Sequence, residues 1–284
     1  MKTLIEKANV LNEALPYIRK FYGKTFVIKY GGAAMVEEKL KDIFAQDIVL
    51  LNFIGIKPVI IHGGGPMINE IMKKMGKKPT FIHGQRVTDK ETIDIVEMVL
   101  GGLINKEIVA LINSHGGRAI GLSGKDGSLI NAKKKVVKKL SADTGVSEII
   151  DLGLVGEVEK INPNIILSIE KDGFIPVIAP IGAGHKNETL NINADYVAGA
   201  VAAALKAEKL ILLTDTQGIM DKNKKLISTL NKTKIKSLVS KNIISGGMLP
   251  KIQACQNAIA GGVKKTHIID GRIPHALLLE IFTQ

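Results

Sequence analysis

Six short runs of aliphatic residues constrain this chain more than any other feature: "TFVIKY" (25–30), "KPVIIH" (57–62), "RAIGLSG" (118–124), "GFIPVIAPIG" (173–182), "KLILLTD" (209–215) and "KTHIIDG" (265–271). They read as near-continuous apolar strands rather than as apolar-polar alternation, so both of their faces must be covered. That is the pattern of a mostly parallel sheet with helices packed on each side. A glycine or polar turn and an amphipathic helical pattern follow the first two runs, "GGAAM" with a helix through Ile54 and "GGGP" with a helix ending near Gly76. The fold expected is therefore α/β, a three-layer αβα sandwich around a mostly parallel central sheet. No period of 20–50 residues recurs, which excludes a solenoid.

Three further elements are expected around this frame. Residues 4–20 place Leu4, Ala8, Leu11, Leu15 and Ile18 on one stripe of an extra N-terminal helix, with a kink or restart at Pro16. Thr88 and Glu91 have the spacing of a capping box ahead of a long helical stretch. The segment "LINAKKKVVKKL…DLGLVGEVEKINP" has the alternation and turns of an antiparallel ribbon attached to the central sheet.

Bulk properties narrow the function classes. At 284 residues, the chain suits one large α/β domain or two lobes sharing a cleft. The lone Cys255 rules out an internal disulfide and fits a reducing compartment. The N-terminus carries charges throughout and does not read as a signal peptide, and no apolar run approaches the ~18 residues that cross a bilayer. A soluble, cytoplasmic protein without a membrane partner is expected. The net charge is +12, from 39 basic and 27 acidic residues, but the lysines are scattered. Their densest run, "NAKKKVVKKL", is interleaved with valines, and no Trp is present for base stacking. The basic balance thus points to anionic small molecules rather than nucleic acid.

Two lysines near the first strand compete for a phosphate. Gly23-Lys24-Thr25 imitates the end of a P-loop, but that motif needs a glycine five positions earlier and a preceding strand. Ile18 occupies that position, in a segment that reads as helix. Lys29 instead ends the first strand, just before Gly31-Gly32, and Gly63-Gly64-Gly65 follows the second. In doubly wound folds, ligands bind at the carboxyl ends of parallel strands. Glycines there let backbone N–H groups approach an anion, helped by the helix N-terminus. A plain tight turn, and a lysine extended to solvent, are the alternatives for each feature alone. Asn191, Asn193 and Asp195 in "NINAD" can read an amide or carboxylate and orient lysines, or simply cap the helix that follows. Gly246-Gly247 precedes another helix with Lys251 in its first turn, where a cation is unfavourable unless an anion is near. Thr214, Asp215 and Gly218 follow a strand and suit a nucleotide loop.

Together, "VIKYGGAAM", "VIIHGGGP", "GQRVTD", "NINAD", "LLTDTQGI" and "GGMLPK" resemble the amino acid kinase family, in the family's order and over nearly the whole chain from Tyr17 to Thr283. The pair "GQRVTD" and "NINAD" resembles those members that act on N-acetyl-L-glutamate. The resemblance implies transfer of the ATP γ-phosphoryl to the side-chain carboxylate, giving an acyl phosphate, in the second step of arginine biosynthesis from glutamate. It implies Lys29 and Lys251 as phosphoryl clamps with Asp195 holding both. Gly31, Gly32, Gly63, Gly64 and Gly65 would supply N–H groups to phosphoryl and carboxylate. Arg86 would hold the α-carboxylate and Asn191 the acetamido group. Thr214, Asp215, Gly218, Gly246 and Gly247 would contact nucleotide, with Mg²⁺ carried mainly by the ATP phosphates and no protein metal cluster. Residues 1–206 would form an acyl-amino-acid-binding and dimerising lobe, and 207–284 a nucleotide lobe. The N-terminal helix and "KTHIIDGRIPHALLLEIFT" resemble the arginine-inhibited type, in which such helices interlace dimers into a hexamer. Tyr17, Lys209, His267 and Glu280 would then line an arginine site.

Overall fold

The computed structural model describes residues 2–82, 84–140, 147–223 and 225–283. The first half comprises α1 (Lys2–Phe21), β1 (Thr25–Tyr30), α2 (Glu38–Phe53), β2 (Lys57–His62), α3 (Gly65–Lys74), β3 (Phe81–Ile82), β4 (Gln85–Arg86), α4 (Lys90–Glu97), α5 (Asn105–Ser114) and β5 (Ala119–Ser123). Then follow β6 (Ile130–Lys134), β7 (Val137–Leu140), β8 (Ser147–Ile150), β9 (Gly156–Ile161), α6 (Asn164–Lys171), β10 (Ile175–Ala179), β11 (Ile181–Ala183) and β12 (Thr189–Asn191). The last part holds α7 (Ala194–Ala204), β13 (Lys209–Thr214), α8 (Lys232–Ser240), α9 (Met248–Ala260), β14 (Lys265–Asp270) and α10 (Ala276–Phe282).

The six apolar runs form one sheet in the order β14-β13-β1-β2-β10-β5, and every neighbouring pair is parallel. Their side chains alternate between two cores. Phe26, Ile28, Ile60, Ile211 and Val177 enter one; Val27, Val59, Ile61, Leu212 and Ile178 enter the other. Burial on both faces is why the strands carry no polar alternation. After β1 the chain builds β2, β10 and β5 on one side, then returns to add β13 and β14 on the other. The crevice at such a reversal, outside the carboxyl ends of the strands, is the ligand position of open α/β sheets.

Three expectations change. The antiparallel ribbon exists, with β6 paired to β9 and β7 to β8, but it does not extend the central sheet. Its β6–β9 part joins β11 and β12 in a second sheet of order β12-β11-β6-β9, while β7 and β8 form a two-stranded sheet of their own; Pro180, directly after β10, has no N–H with which to continue the first sheet's ladder. The helix after Thr88 is capped by Asp89, whose carboxylate accepts from Thr92 N at 2.8 Å. Glu91 pairs with Lys77, and Thr88 Oγ1 donates to the Arg86 carbonyl at 3.1 Å, so there is no capping box. That long helical stretch also widens into a π-helical segment, Met98–Ile104, between α4 and α5. Finally, α1 runs through Pro16 without restarting. Leu11 and Leu15 of its stripe are exposed, 74% and 44%, while the side chain of Leu4 lies outside the described residues. Among the described residues, the last turns of α1 pack on the body through Tyr17 and Phe21.

Candidate active site

The carboxyl ends of β1 and β2 open onto a cavity of about 660 Å³, lined between Lys29 and Tyr196 by the two glycine loops, Arg86 and Asn191. The second sheet closes one side, through Val155, Gly156 and Asn191.

Lys29 points from the strand end into the buried zone beneath Gly31. A Cβ at Gly31 would collide with its ammonium group, which accounts for glycine there. Lys29 Nζ lies 3.4 Å from Asp195 Oδ1, and Lys251 Nζ donates to Asp195 Oδ2 at 2.8 Å. The three side chains are 10%, 6% and 13% exposed. Distant segments meet here because Asn193 caps α7. Its side chain accepts from the N–H groups of Asp195 and Tyr196, setting Asp195 in the first turn. Capping and ion pairing thus fall to different residues of the same motif.

Burial is the largest influence on Lys29 and lowers its pKa; Asp195 opposes this and Lys251 adds to it. For Asp195, burial alone would raise the pKa, but the charges of Lys29 and Lys251 and their hydrogen bonds hold it below the usual carboxylate value. Asp195 Oδ1 is buried and receives no hydrogen bond, so the Lys29 contact is an ion pair without hydrogen-bond geometry. Two cations are ion-paired to one anion, with Asp215 as a further negative charge acting on Lys29, so cations are in excess at the buried contact itself. Such a centre is costly unless an anion completes it.

Arg86 contributes a second unneutralised cation. It is 8% exposed, and its guanidinium lies over the Phe81 ring, 4.8 Å from the centroid. Its Nη2 donates to Asn69 Oδ1 at 2.6 Å and to the Gly65 carbonyl at 3.3 Å. Among the described residues it has no carboxylate partner, and burial lowers its pKa. Asn191 Nδ2 donates to Thr88 Oγ1 at 3.3 Å, which fixes the amide at the cavity wall.

The nucleotide-loop candidates lie outside this cavity. Thr214 ends β13, and Asp215 abuts the first glycine loop: Gly32 has φ +73°, and a Cβ there would collide with the Asp215 carboxylate. Gly218 has φ +131° and packs against Leu226. Gly247 caps α9, whose Lys251 reaches Asp195. Beneath these loops is a separate small core of Leu238, Ile244 and Ile252.

Three of the four candidate effector residues converge, and the fourth, Tyr17, packs on the helix that carries Glu280, α10. Glu280 Oε1 accepts from Lys209 Nζ at 3.0 Å and lies 2.8 Å from His267 Nδ1, while Tyr17 meets Phe282 edge-on with centroids 6.3 Å apart.

Three participants carried no motif. Asn69 holds the Arg86 guanidinium by a hydrogen bond, Phe81 lies against it, and Phe44 stacks on Tyr30 with 3.8 Å between centroids. Lys41 at its edge bridges Glu38 and Glu107. Among the described residues, no group of three or more His, Cys, Asp or Glu could hold a metal.

Residues 24–270 match the model of the amino acid kinase family. The chain is 58% identical over 278 residues to the acetylglutamate kinase of Syntrophus aciditrophicus (strain SB), covering 98% of this chain and 94% of that one. It is 56% identical over 283 residues to the acetylglutamate kinase of Geobacter sp. (strain M21), covering 100% and 97%. Among solved structures, it superposes with a TM-score of 0.81, at 26% identity, on an N-acetylglutamate synthase from Neisseria gonorrhoeae complexed with coenzyme A and N-acetyl-glutamate. That match spans 97% of this chain and 61% of the longer synthase.

Proposed function

Because the chain belongs to the amino acid kinase family and to its acetylglutamate kinase branch, we propose that it transfers the γ-phosphoryl of ATP to the side-chain carboxylate of N-acetyl-L-glutamate, in arginine biosynthesis. The observation that carries this is the Lys29–Asp195–Lys251 centre beside a cavity holding an acid-free buried arginine.

The acceptor lies in the 1–206 part, its α-carboxylate on Arg86 as a bidentate fork and its acetamido group on Asn191. ATP lies over the 207–284 part, along Thr214, Asp215, Gly218 and Gly246-Gly247. This division is supported by the cavity lining, which ends at Tyr196, before β13. The side-chain carboxylate is ionised at neutral pH, so no general base is required. Its oxygen attacks phosphorus as the bond to the β–γ bridging oxygen breaks, and that electron pair leaves with ADP. Lys29 and Lys251 neutralise charge on the phosphoryl oxygens, and the N–H groups of Gly32, Gly64 and Gly65 hold the moving group in line. Asp195 keeps the two ammonium groups from separating. Mg²⁺ fits this site as a passenger on the ATP phosphates, because Asp195 is committed to two lysines; when bound, it adds further charge neutralisation.

Arginine is the proposed inhibitor, at the Tyr17–Lys209–His267–Glu280 cluster, where a carboxylate and aromatic rings can meet a guanidinium. The exposed apolar residues of α1 support assembly of dimers into a hexamer through that helix. A cytoplasmic location fits the reaction, and no described helix is long and apolar enough to cross a membrane.

The test is ATP turnover with N-acetyl-L-glutamate, glutamate, aspartate, carbamate or UMP as acceptor, trapping acyl phosphate with hydroxylamine. Hydroxamate with N-acetyl-L-glutamate alone is the expected result. Activity with another acceptor only would overturn the role of Arg86.

A further inference from the structure

His62 ends β2, directly before the Gly63-Gly64-Gly65 loop, and is fully buried. It does not line the cavity, yet both of its ring nitrogens are engaged. Nδ1 lies 2.8 Å from the Gly63 carbonyl oxygen, and Nε2 lies 3.2 Å from Asn105 Nδ2. Asn105, itself fully buried in α5, presents its amide to Nε2. Its Nδ2 also donates to the Val177 carbonyl at 2.9 Å and the Leu122 carbonyl at 3.4 Å. Its Oδ1 accepts from Lys106 Nζ at 3.2 Å. Reversing the amide would press its oxygen against two carbonyl oxygens, so its NH2 faces them and His62; the Gly63 carbonyl can only accept, which places the ring proton on Nδ1 and leaves Nε2 as an acceptor facing that NH2. The neutral ring therefore carries its proton on Nδ1 and donates to Gly63.

This clamps the loop's first peptide groups. The Gly63 N–H donates to the Tyr30 carbonyl at 2.8 Å, and the Gly63 carbonyl is held by His62. In a trans peptide, the carbonyl of one residue and the N–H of the next point in opposite directions. With the Gly63 carbonyl drawn into the core, the Gly64 N–H is turned outward, and Gly64 lines the cavity. We propose that His62, in the Nδ1–H tautomer set by the Gly63 carbonyl and matched by the Asn105 amide, is a positioning residue that aims the Gly64 N–H at the anion being transferred. This rests on the reading above that the loop binds phosphoryl or carboxylate oxygens. Burial also lowers the His62 pKa to about 4, so the ring stays neutral, and the loop stays set, across the neutral range.

The test combines two variants with one spectroscopic measurement. In His62→Asn, the amide nitrogen takes roughly the place of Nδ1 and can still donate to Gly63. In His62→Gln, it falls nearer Nε2 and cannot. His62→Gln is expected to lose about 10- to 100-fold in kcat, at or below the lower end of the ~10²–10³ loss for removing a transition-state donor outright, because the donor is misaimed rather than deleted. KM for the acceptor should change less than about threefold, and His62→Asn should recover most of the rate. Equal losses in both variants, or none in either, would overturn the proposal. Independently, ¹⁵N spectra of the histidine-labelled wild type should show the Nδ1–H tautomer from pH 5 to 8. An Nε2–H tautomer would overturn the proposal even if both variants failed to fold. A wild type that makes no acyl phosphate would instead defeat the functional reading, leaving the tautomer to decide the role of His62.

Discussion

Among single residues, the contrast between Lys24 and Lys29 separates a surface resemblance from a site. Lys24 is exposed in the turn after α1, whereas Lys29 is buried against Asp195. Lys29→Ala removes a charge needed only as the phosphoryl moves, so kcat should fall by about 10²–10³ with little change in KM. Lys24→Ala should be nearly silent, and steady-state kinetics of the two variants decide the matter. Arg86 makes the opposite prediction. Arg86→Lys keeps the charge but loses the planar fork, so KM for N-acetyl-L-glutamate should rise about tenfold or more while KM for ATP holds. Lys29 was legible because it stands at a strand end before glycines. Its buried partnership was not, since Asp195 and Lys251 lie far away in sequence.

For whole elements, loop geometry and helix surfaces give the testable quantities. Gly32 combines φ +73° with a Cβ direction blocked by Asp215, so Gly32→Ala both strains the backbone and displaces a carboxylate beside the loop. A loss of at least about tenfold in kcat/KM is expected, measured alongside Gly65→Ala, where the space is open and the effect should be smaller. The exposed leucines of α1 bear on the proposed assembly rather than on chemistry. If α1 joins dimers as proposed, Leu11→Glu with Leu15→Glu should leave activity intact and lower the particle mass to that of a dimer in analytical ultracentrifugation. An unchanged mass would show that the stripe is simply solvated. The capping box was misread for a physical reason: Asp89 follows Thr88 directly, and a carboxylate one residue closer to the helix competes successfully for the cap.

Across the molecule, the proposed catalytic centre and a pH-sensitive packing contact sit at opposite ends of β1. Glu170 closes α6 beneath the amino end of β1, where Thr25 Oγ1 donates to it at 3.4 Å. Burial raises its pKa from 4.5 to about 7, with Lys57 and the Thr25 hydrogen bond opposing. The folded state thus holds this proton more tightly than the unfolded chain does. Its contribution to stability is full below pH 4.5 and is lost as pH rises through about 7. Glu170→Gln, which cannot ionise, should melt with the wild type at pH 4.5 and several degrees above it at pH 8, by circular dichroism. Turnover should be unaffected, because the change lies at the far end of β1 from Lys29.

The strand runs, the glycine loops and their order were sufficient to determine a parallel sheet covered on both faces, since continuous apolar strands have no other stable packing. They also pointed to the carboxyl ends of β1 and β2, where the structure has the cavity that the proposed function assigns to anions. Only the tertiary structure decided which groups share a charge. It united Lys29, Asp195 and Lys251 across β1, α7 and α9, gave Arg86 no acid partner among the described residues, and put β6 and β9 of the ribbon into a second sheet that walls the cavity. Local pattern is set by burial and backbone propensity, which act over a few residues. Pairing of charges depends on which segments meet after the chain has folded, and that information is spread over the whole sequence.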